Sequence, residues 1–325
     1  MKPYVGIEAM SAYLPEETAS LEQLQARGML SGSPQTLRSF GFERVHLAGD
    51  QTNLDMAVCA SERLLSETGI DRDEIGLVLY ATALGSSATM WDGAKSPNAV
   101  LQLDDVADLF KYPASRLQSE LDLPDASVIG VNQLGCASIF AALRVARAMI
   151  LAEDDLDTVL CVSADKFPAG HPRDLIYNVV SDGASAALVR RGAQRNRILE
   201  CAQVTKGALW DSGSLENEIV AAYFPTAKSL IERTLAKAGL TIDDIALVIP
   251  HNVSTRSWEI LGKLIGCPAD RIYTRNIRCA GHTIASDNLL NLRTASDEGM
   301  IGKGDKVLMF TFGYGLNWSC MILEH

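Results

Sequence analysis

An internal repeat places the strongest constraint on the fold of this chain. Residues 61–79 and 231–249 align without a gap at a constant offset of 170, and eight of their positions are identical. In each copy an amphipathic pattern ends at a glycine, which is followed by a short acidic turn and an apolar run. This pattern predicts a helix with a glycine C-cap, a turn and a buried strand in both copies.

A second, looser match follows the first in the same order. Residues 156–165 align with residues 304–313, and each segment follows a helical pattern. One such match could arise by chance, but two in the same order indicate a duplication. We therefore predict an α/β fold in which two similar halves, residues 1–190 and 191–325, pack on each other.

The first half carries an extra segment, residues 86–126, with three prolines and two short helix-like patterns. Segments of this length are usually functional covers or oligomer contacts, and otherwise they are disordered. A cover or a contact is favoured because several apolar residues offer a face to bury, namely Val100, Leu101, Leu103, Val106, Leu109 and Phe110.

A candidate nucleophile lies where an apolar strand pattern turns abruptly into a helical one. Residues 128–150 read VIGVNQLGCASIFAALRVARAMI, so Cys136 follows a glycine turn and precedes small residues. A cysteine at a helix N-terminus lies beside unpaired N–H groups and the positive end of the helix dipole, which stabilise a thiolate. The alternative is a buried structural cysteine in an α/β core.

Two of the five histidines lie where an α/β sheet places its ligands. His251 follows the strand pattern of the second repeat, and His282 lies in a glycine turn that opens a helix. Opposite a cysteine of the other half, they form a candidate nucleophile–base constellation. The alternative is a pair of ordinary loop histidines.

Asp287 lies about one helical turn beyond His282. Its carboxylate could accept the ring N–H of His282, fix the tautomer and raise the basicity of the imidazole, as the acid of a triad does. The alternative is an early helical position that the helix dipole favours for an acidic residue.

A glycine turn near the C-terminus is a candidate oxyanion hole. Gly313, Tyr314 and Gly315 follow a buried strand pattern. Glycines at such a place let backbone N–H groups approach a reacting carbonyl oxygen, although an isolated pattern of this kind is usually only a turn.

Composition argues against several other classes of function. The net charge of −11 argues against nucleic-acid and anionic-membrane partners, but it allows a local basic patch for an acidic carrier or coenzyme. The seven cysteines are scattered, which predicts a reduced cytoplasmic protein without a metal site. We find no signal-peptide pattern and no uninterrupted apolar run of about 18 residues, so no membrane-spanning segment is predicted.

Seven motifs along nearly the whole chain resemble those of the thiolase superfamily, and within it the β-ketoacyl-ACP synthase III-like enzymes. In chain order they are SAYLPEE, GFERVHLAGDQTNLDMA, GCASIF, SDGASAAL, PHNVSTR, CAGHTIAS and FGYGLNW. The resemblance implies a five-layered αβαβα fold and usually a homodimer. It also implies that the phosphopantetheine arm of acyl-CoA or of an acyl carrier protein reaches Cys136 through a tunnel, with no cofactor.

Two motifs depart from the condensing enzymes of this family. The family's His-Gln-Ala-Asn motif reads HNVS over residues 251–254. Arg256 is retained where an arginine often meets coenzyme phosphates, so Arg256 and Ser254 are candidate substrate-binding residues. The asparagine of the family's Cys-His-Asn triad has become His282. In condensing members that asparagine helps to hold the carbonyl of the decarboxylating malonyl thioester.

The departures resemble an offshoot of the family in specialised metabolism that uses a Cys- or Ser-His-Asp triad. We therefore predict an acyltransferase in which Cys136 is acylated and His282, oriented by Asp287, activates a hydroxyl or amine acceptor. His251 would be a secondary donor that lines the pocket. A decarboxylating condensing enzyme and a non-catalytic thiolase-fold partner subunit are the alternatives.

Overall fold

The structure is a computed structural model that describes residues 4–84, 111–176, 178–211 and 214–325. Its strands are β1 (Val5–Tyr13), β2 (Thr18–Ser20), β3 (Arg44–His46), β4 (Leu77–Ala81), β5 (Ser127–Val131), β6 (Thr158–Asp165), β7 (Asp174–Leu175), β8 (Asn178–Val179), β9 (Gly183–Arg191), β10 (Arg197–Thr205), β11 (Ile245–Ile249), β12 (Lys306–Gly313) and β13 (Asn317–Glu324). Its helices are α1 (Leu21–Ala26), α2 (Pro34–Ser39), α3 (Asn53–Thr68), α4 (Pro113–Glu120), α5 (Ser138–Ala152), α6 (Glu216–Ala238), α7 (Thr255–Ile265), α8 (Arg275–Ala280) and α9 (Asp287–Asp297).

The predicted helix–turn–strand unit occurs in both copies of the repeat. Helix α3 ends at Gly69 and helix α6 at Gly239, and both glycines are left-handed, with φ of 63° and 71°. A single 3-10 turn then leads into strand β4 in the first copy and into β11 in the second. The left-handed conformation costs glycine little because it has no Cβ, which explains why both helices stop at that residue.

Nine strands of the described residues form a main sheet of two similar groups, and β2-β3 and β7-β8 form separate two-stranded sheets. The main sheet has the order β11-β12-β13-β10-β1-β9-β6-β4-β5, and β1 meets β10 at one residue pair, Gly6 with Arg197. Within each group a parallel pair carries the repeat: β4 with β6 in the first, β11 with β12 in the second. The predicted boundary at 190/191 falls at the end of β9; as a domain boundary it stays a prediction.

Packing on the two faces of each group produces five layers. Helices α5 and α9 share one hydrophobic core with the inner faces of both strand groups. The outer face of the first group packs on α3 and α4, and that of the second group packs on α6 and α7. Alternate residues of one strand therefore enter different cores, as in β4, where Leu79 faces the central helices and Val78 the outer ones. This is the predicted αβαβα architecture.

The central position of α5 accounts for its apolar character. The segment Gly135–Ala152 is long and apolar enough to cross a membrane by those criteria alone, yet half of it is buried inside the fold. A helix between two sheets is apolar on most of its circumference because both sides face a core. The segment is therefore a core helix of this fold.

The extra segment of the first half lies only partly within the described residues. Residues 86–110, which include all six apolar residues of the predicted cover, lie outside them. The remainder forms α4 and its following turn, where Leu117, Leu121 and Leu123 are buried against the outer core of the first half.

Candidate active site

The structure places Cys136 at the N-terminal end of a central helix, as predicted. Strand β5 ends at Val131, and the chain reverses through Gln133 and Gly135, both with positive φ (65° and 55°). Cys136 lies in the following 3-10 turn, Gly135–Ala137, which runs directly into α5. A glycine is required because a Cβ at position 135 would lie 2.8 Å from the backbone nitrogen of Tyr314.

Cys136, His282 and Asp287 form a continuous chain of polar contacts. The Sγ atom of Cys136 lies 3.3 Å from Nε2 of His282, and Nδ1 of the same ring lies 2.5 Å from Oδ2 of Asp287. Cys136 is 8% exposed and Asp287 is fully buried. The sequence predicted the second contact from local spacing, whereas the first joins residues from the two halves of the chain.

The backbone of His282 is fixed by the strand that precedes the SDGASAAL motif. The N–H of His282 donates to the carbonyl of Val179, and the N–H of Ser181 donates to the carbonyl of His282, each at 2.9 Å. These bonds form a parallel bridge between Val180 and His282. The imidazole therefore projects toward Cys136 from a backbone held on both sides.

Sequence analysis missed the groups that hold the carboxylate of Asp287. Its Oδ1 atom accepts from the N–H and the hydroxyl of Thr283, at 2.6 and 2.7 Å, and its Oδ2 atom accepts from the N–H of Asn252 at 2.6 Å. The side chain of Asn252 in turn bonds the carbonyl of Gly281 and the amide of Asn291. Only the polar sequence of these two loops hints at this network.

The charges and hydrogen bonds of this site lower the pKa of Asp287 and raise the pKa of His282. Burial alone would raise the pKa of Asp287, but the charge of His282 and the hydrogen bonds from His282, Thr283 and Asn252 lower it. Burial alone would lower the pKa of His282, but Asp287 and Cys136 together raise that pKa well above its usual value. His282 is therefore the group that holds a proton in the resting site.

His251 lies beside this chain of contacts without joining it. Its ring centre is 6.3 Å from that of His282, and the rings of Trp258 and Phe310 pack around it. Neither ring nitrogen makes a hydrogen bond of normal geometry with a described residue. The nearby backbone of Phe310 has a small opposing effect and raises the pKa of His251. Burial, and then the charge of His282, lower the pKa of His251 to about 3, so this imidazole is neutral.

The predicted glycine turn packs directly on the nucleophile turn. A Cβ at Gly313 would lie 2.2 Å from the carbonyl oxygen of Leu134 and 2.8 Å from the backbone nitrogen of Cys136. Gly315 has a φ of 101°, which lets the chain reverse into β13. The structure thus packs Gly313 and Tyr314 against the turn that carries Cys136, and Gly315 follows them in the chain.

An apolar cavity opens beside Cys136. The described residues that line it are Cys136, Leu175, Ile176, Asn178, Ile219, Val220, Tyr223, Phe224, His251, Val253, Ser257, His282, Phe312 and Tyr314. The described residues include no cluster of three or more His, Cys, Asp or Glu side chains that could hold a metal ion. The cavity is suited to an organic group.

The two candidate substrate-binding residues occupy different environments. Ser254 is buried and is the N-cap of α7, because its hydroxyl accepts from the N–H of Ser257 at 3.0 Å and bonds the Ser257 hydroxyl. Ser257, rather than Ser254, lines the cavity. Arg256 is exposed on the first turn of α7, near the cavity-lining residues Val253 and Ser257.

The five-layered fold with a cysteine at the start of a central helix is that of the thiolase superfamily. Solved structures share this fold. The 3-oxoacyl-[acyl-carrier-protein] synthase III of Aquifex aeolicus VF5 matches with a TM-score of 0.82 at 22% identity, covering 99% of this chain and 100% of that one. A protein named ChlB3, described as an acyltransferase, matches with a TM-score of 0.82 at 23% identity, covering 99% and 98%.

Sequence comparisons narrow the class to one family. The family model of 3-oxoacyl-[acyl-carrier-protein (ACP)] synthase III matches residues 132–207, and the model of its C-terminal part matches residues 235–325. The β-ketoacyl-[acyl-carrier-protein] synthase III of Clostridium perfringens (strain SM101 / Type A) is 24% identical over 96% of each chain. The chain therefore belongs to the thiolase superfamily as a 3-oxoacyl-ACP synthase III-like protein. Membership of this family indicates an enzyme that uses acyl thioesters.

Proposed function

We propose that this chain is an acyltransferase that carries an acyl group from a thioester donor, acyl-CoA or acyl-ACP, to a hydroxyl or amine acceptor. The observation that supports this proposal is the position of His282 between Cys136, at 3.3 Å, and Asp287, at 2.5 Å. A carboxylate behind an imidazole fixes its tautomer and stabilises the imidazolium, which is what a general base for an incoming nucleophile requires.

The first half-reaction would acylate Cys136. In this step Sγ of Cys136 would attack the carbonyl carbon of the donor thioester with the proton held at Nε2 of His282, and a tetrahedral intermediate would form. The donor carbon–sulfur bond then breaks, the departing pantetheine sulfur takes the proton from Nε2 of His282, and the acyl group stays on Cys136. The imidazole is left neutral, with its Nδ1–H donated to Asp287.

The second half-reaction would return the proton to His282. The acceptor hydroxyl or amine gives its proton to Nε2 as its oxygen or nitrogen attacks the acyl-Cys136 carbonyl. The bond to Sγ breaks, and the sulfur again faces an imidazolium. Asp287 stabilises that imidazolium without taking a proton, because its pKa is lowered.

Two further groups would stabilise the oxyanion of these intermediates. The backbone amides of Cys136 and of the Gly313–Gly315 turn are the candidate donors to this oxyanion, because Gly313 and Tyr314 pack against the turn that carries Cys136. His251 is neutral and lines the same cavity, so it is suited to donate a hydrogen bond rather than a proton. Arg256, exposed near the cavity, would meet a phosphate of the donor.

Decarboxylative condensation is the second candidate. The relatives named β-ketoacyl-[acyl-carrier-protein] synthase III and a neighbouring structure described as the priming β-ketosynthase of the R1128 polyketide pathway favour it, as does the retained His251. Acyl transfer is preferred because an imidazole paired with an acid replaces the amide that condensing members use. A non-catalytic partner subunit is disfavoured by the intact contacts of Cys136, His282 and Asp287. A homodimer and a cytoplasmic location stay predictions.

The test follows CO₂ and acceptor acylation in the same reaction. Intact-mass spectrometry with a panel of acyl-CoA and acyl-ACP donors first identifies the donor that acylates the protein. The acylated protein is then given labelled malonyl-ACP, or a panel of alcohols and amines, and released CO₂ and acylated acceptor are both measured. We expect acylated acceptor without CO₂. CO₂ released in step with a condensed product would instead establish the condensing reaction.

A further inference from the structure

The cavity beside Cys136 is apolar along most of its wall. Among the described residues that line it there is no lysine, arginine, aspartate or glutamate. Of the two histidines that line the cavity, His251 is neutral. An ionised group of a ligand would therefore find no opposite charge on the described side chains of the wall other than at His282. The cavity therefore suits a neutral ligand group with a largely apolar surface.

Asn178 supplies a buried amide to this wall. Its side chain is nine-tenths buried, with 8% of the residue exposed, and its Oδ1 atom has no hydrogen-bond partner among the described residues. A buried amide oxygen without a donor is unfavourable because it has lost its hydrogen bonds to water and gained none in exchange. An amide oxygen that belongs to the cavity wall and finds no donor among the described residues is suited to accept a hydrogen bond from a ligand in that cavity.

The backbone fixes Asn178 relative to the reacting atoms. Asn178 begins β8, and the carbonyl of the next residue, Val179, accepts the N–H of His282 at 2.9 Å. The guanidinium of Arg173 donates to the carbonyl of Val180 at 3.0 Å and pairs with the buried carboxylate of Asp182 at 2.9 and 3.0 Å, which holds this segment in place. The amide thus lies at a set position beside His282 and Cys136, as a specificity group requires.

We infer that the side-chain oxygen of Asn178 accepts a hydrogen bond from a hydroxyl on a substrate group that is otherwise apolar. The amide oxygen accepts and cannot donate, so its partner must carry a hydrogen, as a hydroxyl does. The group belongs to the acyl chain of the donor or to the body of the acceptor, because a ping-pong enzyme uses one cavity for both. The inference rests on the proposed function in treating this cavity as the substrate site.

The test measures binding without chemistry, in a Cys136→Ala background. One arm compares the butyryl and hydroxybutyryl thioesters of N-acetylcysteamine, and the other compares an alkyl alcohol with the diol of the same chain length. Calorimetry gives the affinities. In one arm we expect the more polar member to bind about tenfold more tightly than its apolar partner, which is the value of one hydrogen bond. The arm that shows the preference identifies the source of the oxygen.

The substitution Asn178→Leu keeps the branched shape and the number of heavy atoms of the side chain and removes the amide. We expect it to reduce the preference to within about twofold by removing that hydrogen bond. Asn178→Ala serves as a second apolar variant should leucine prevent folding. The matched control is Asn53→Leu, because Asn53 also carries a partnerless buried Oδ1 atom but does not line the cavity.

Two results would overturn the inference. One is equal affinity for both members of each pair while Asn178 is present, and the other is a preference that persists in both apolar variants. Because binding to the Cys136→Ala protein needs no acyl transfer, the result is independent of the proposed reaction. A wild-type protein that forms no acyl-Cys136 with any donor would defeat the proposed function and leave this measurement intact.

Discussion

The backbone N–H of Asn252 and the ring of His282 both bond the same oxygen of Asp287, at 2.6 and 2.5 Å. Asn252 lies in the loop after β11 and Asp287 begins α9, so this shared oxygen ties together the two loops in which the chain departs from the condensing pattern. The acid that orients His282 is thus part of the architecture that holds His251. Substitutions at Asp287 should therefore affect both chemistry and local order.

Cys136→Ala should abolish the mass increase that an acyl donor produces on the wild-type protein. Sγ of Cys136 faces the cavity and contacts His282, and no other described cysteine lines that cavity. Cys161→Ala is the control, because Cys161 is fully buried in strand β6 and burial raises the pKa of its thiol. The control should keep the full mass increase. An acylated Cys136→Ala protein would exclude this mechanism.

Asp287→Asn should spare the acylation of Cys136 but slow transfer to the acceptor by roughly 10⁴-fold, as in other triads that lose the acid. The amide would no longer stabilise the imidazolium, and it would favour the wrong tautomer. Single-turnover measurements of the two half-reactions separate these effects. Asp297→Asn is the control on the same helix, since Asp297 pairs with Arg293 at the surface. Equal slowing of both half-reactions would count against a role confined to general-base catalysis.

His282→Asn restores the amide that condensing members carry at this position. We expect it to reduce acyl transfer strongly, because the amide cannot accept a proton, and to permit at best some decarboxylation of malonyl-ACP. The measurement is labelled CO₂ release with acceptor acylation followed in parallel. Unchanged acceptor acylation in this variant would move the base role to His251.

Gly313→Ala should slow the acylation of Cys136 and destabilise the protein. The new Cβ would lie 2.2 Å from the Leu134 carbonyl oxygen and 2.8 Å from the Cys136 nitrogen, so the nucleophile turn would have to move. Displacements of about 1 Å at a reacting group can cost about 100-fold in rate. Gly207→Ala is the matched control, because nothing lies within 4 Å of its added Cβ. Acylation rates and thermal unfolding check both variants, and equal rates would contradict the predicted contact.

His251→Phe should make the protein less sensitive to acid. The pKa of His251 falls from 6.5 in its usual state to about 3 in the fold, so between these values the unfolded chain binds a proton that the folded chain does not. The free energy of unfolding therefore decreases as the pH falls below the unfolded pKa, by about 1.4 kcal/mol per pH unit from this group.

Phenylalanine keeps a ring against Trp258 and Phe310 and removes this titration. Urea unfolding between about pH 6.5 and 4.5 should show wild-type protein losing roughly 2–3 kcal/mol more than the variant. Parallel pH profiles for the two proteins would show that His251 is not buried as a neutral group. The opposite-signed contribution of His282, whose pKa is raised, is common to both proteins and cancels in the comparison.

The sequence by itself determined the features that depend on neighbours along the chain. The repeated helix, glycine cap, turn and strand follow from periodicity and from the left-handed glycines at 69 and 239. The approach of Asp287 to His282 follows from a separation of five residues across a helix start. The position of Cys136 at the start of α5 follows from a strand pattern that meets a helical one.

Only the tertiary structure decided which histidine serves the sulfur. His282 lies 146 residues from Cys136 and meets it at 3.3 Å, while His251, equally well placed by sequence, makes no hydrogen bond of normal geometry with a described residue. The Thr283 and Asn252 donors to Asp287, the capping role of Ser254 and the amide of Asn178 in the cavity were likewise set by packing. Spacing along a strand or helix fixes near neighbours, but contacts between halves depend on strand order and on how both sheets close over α5 and α9.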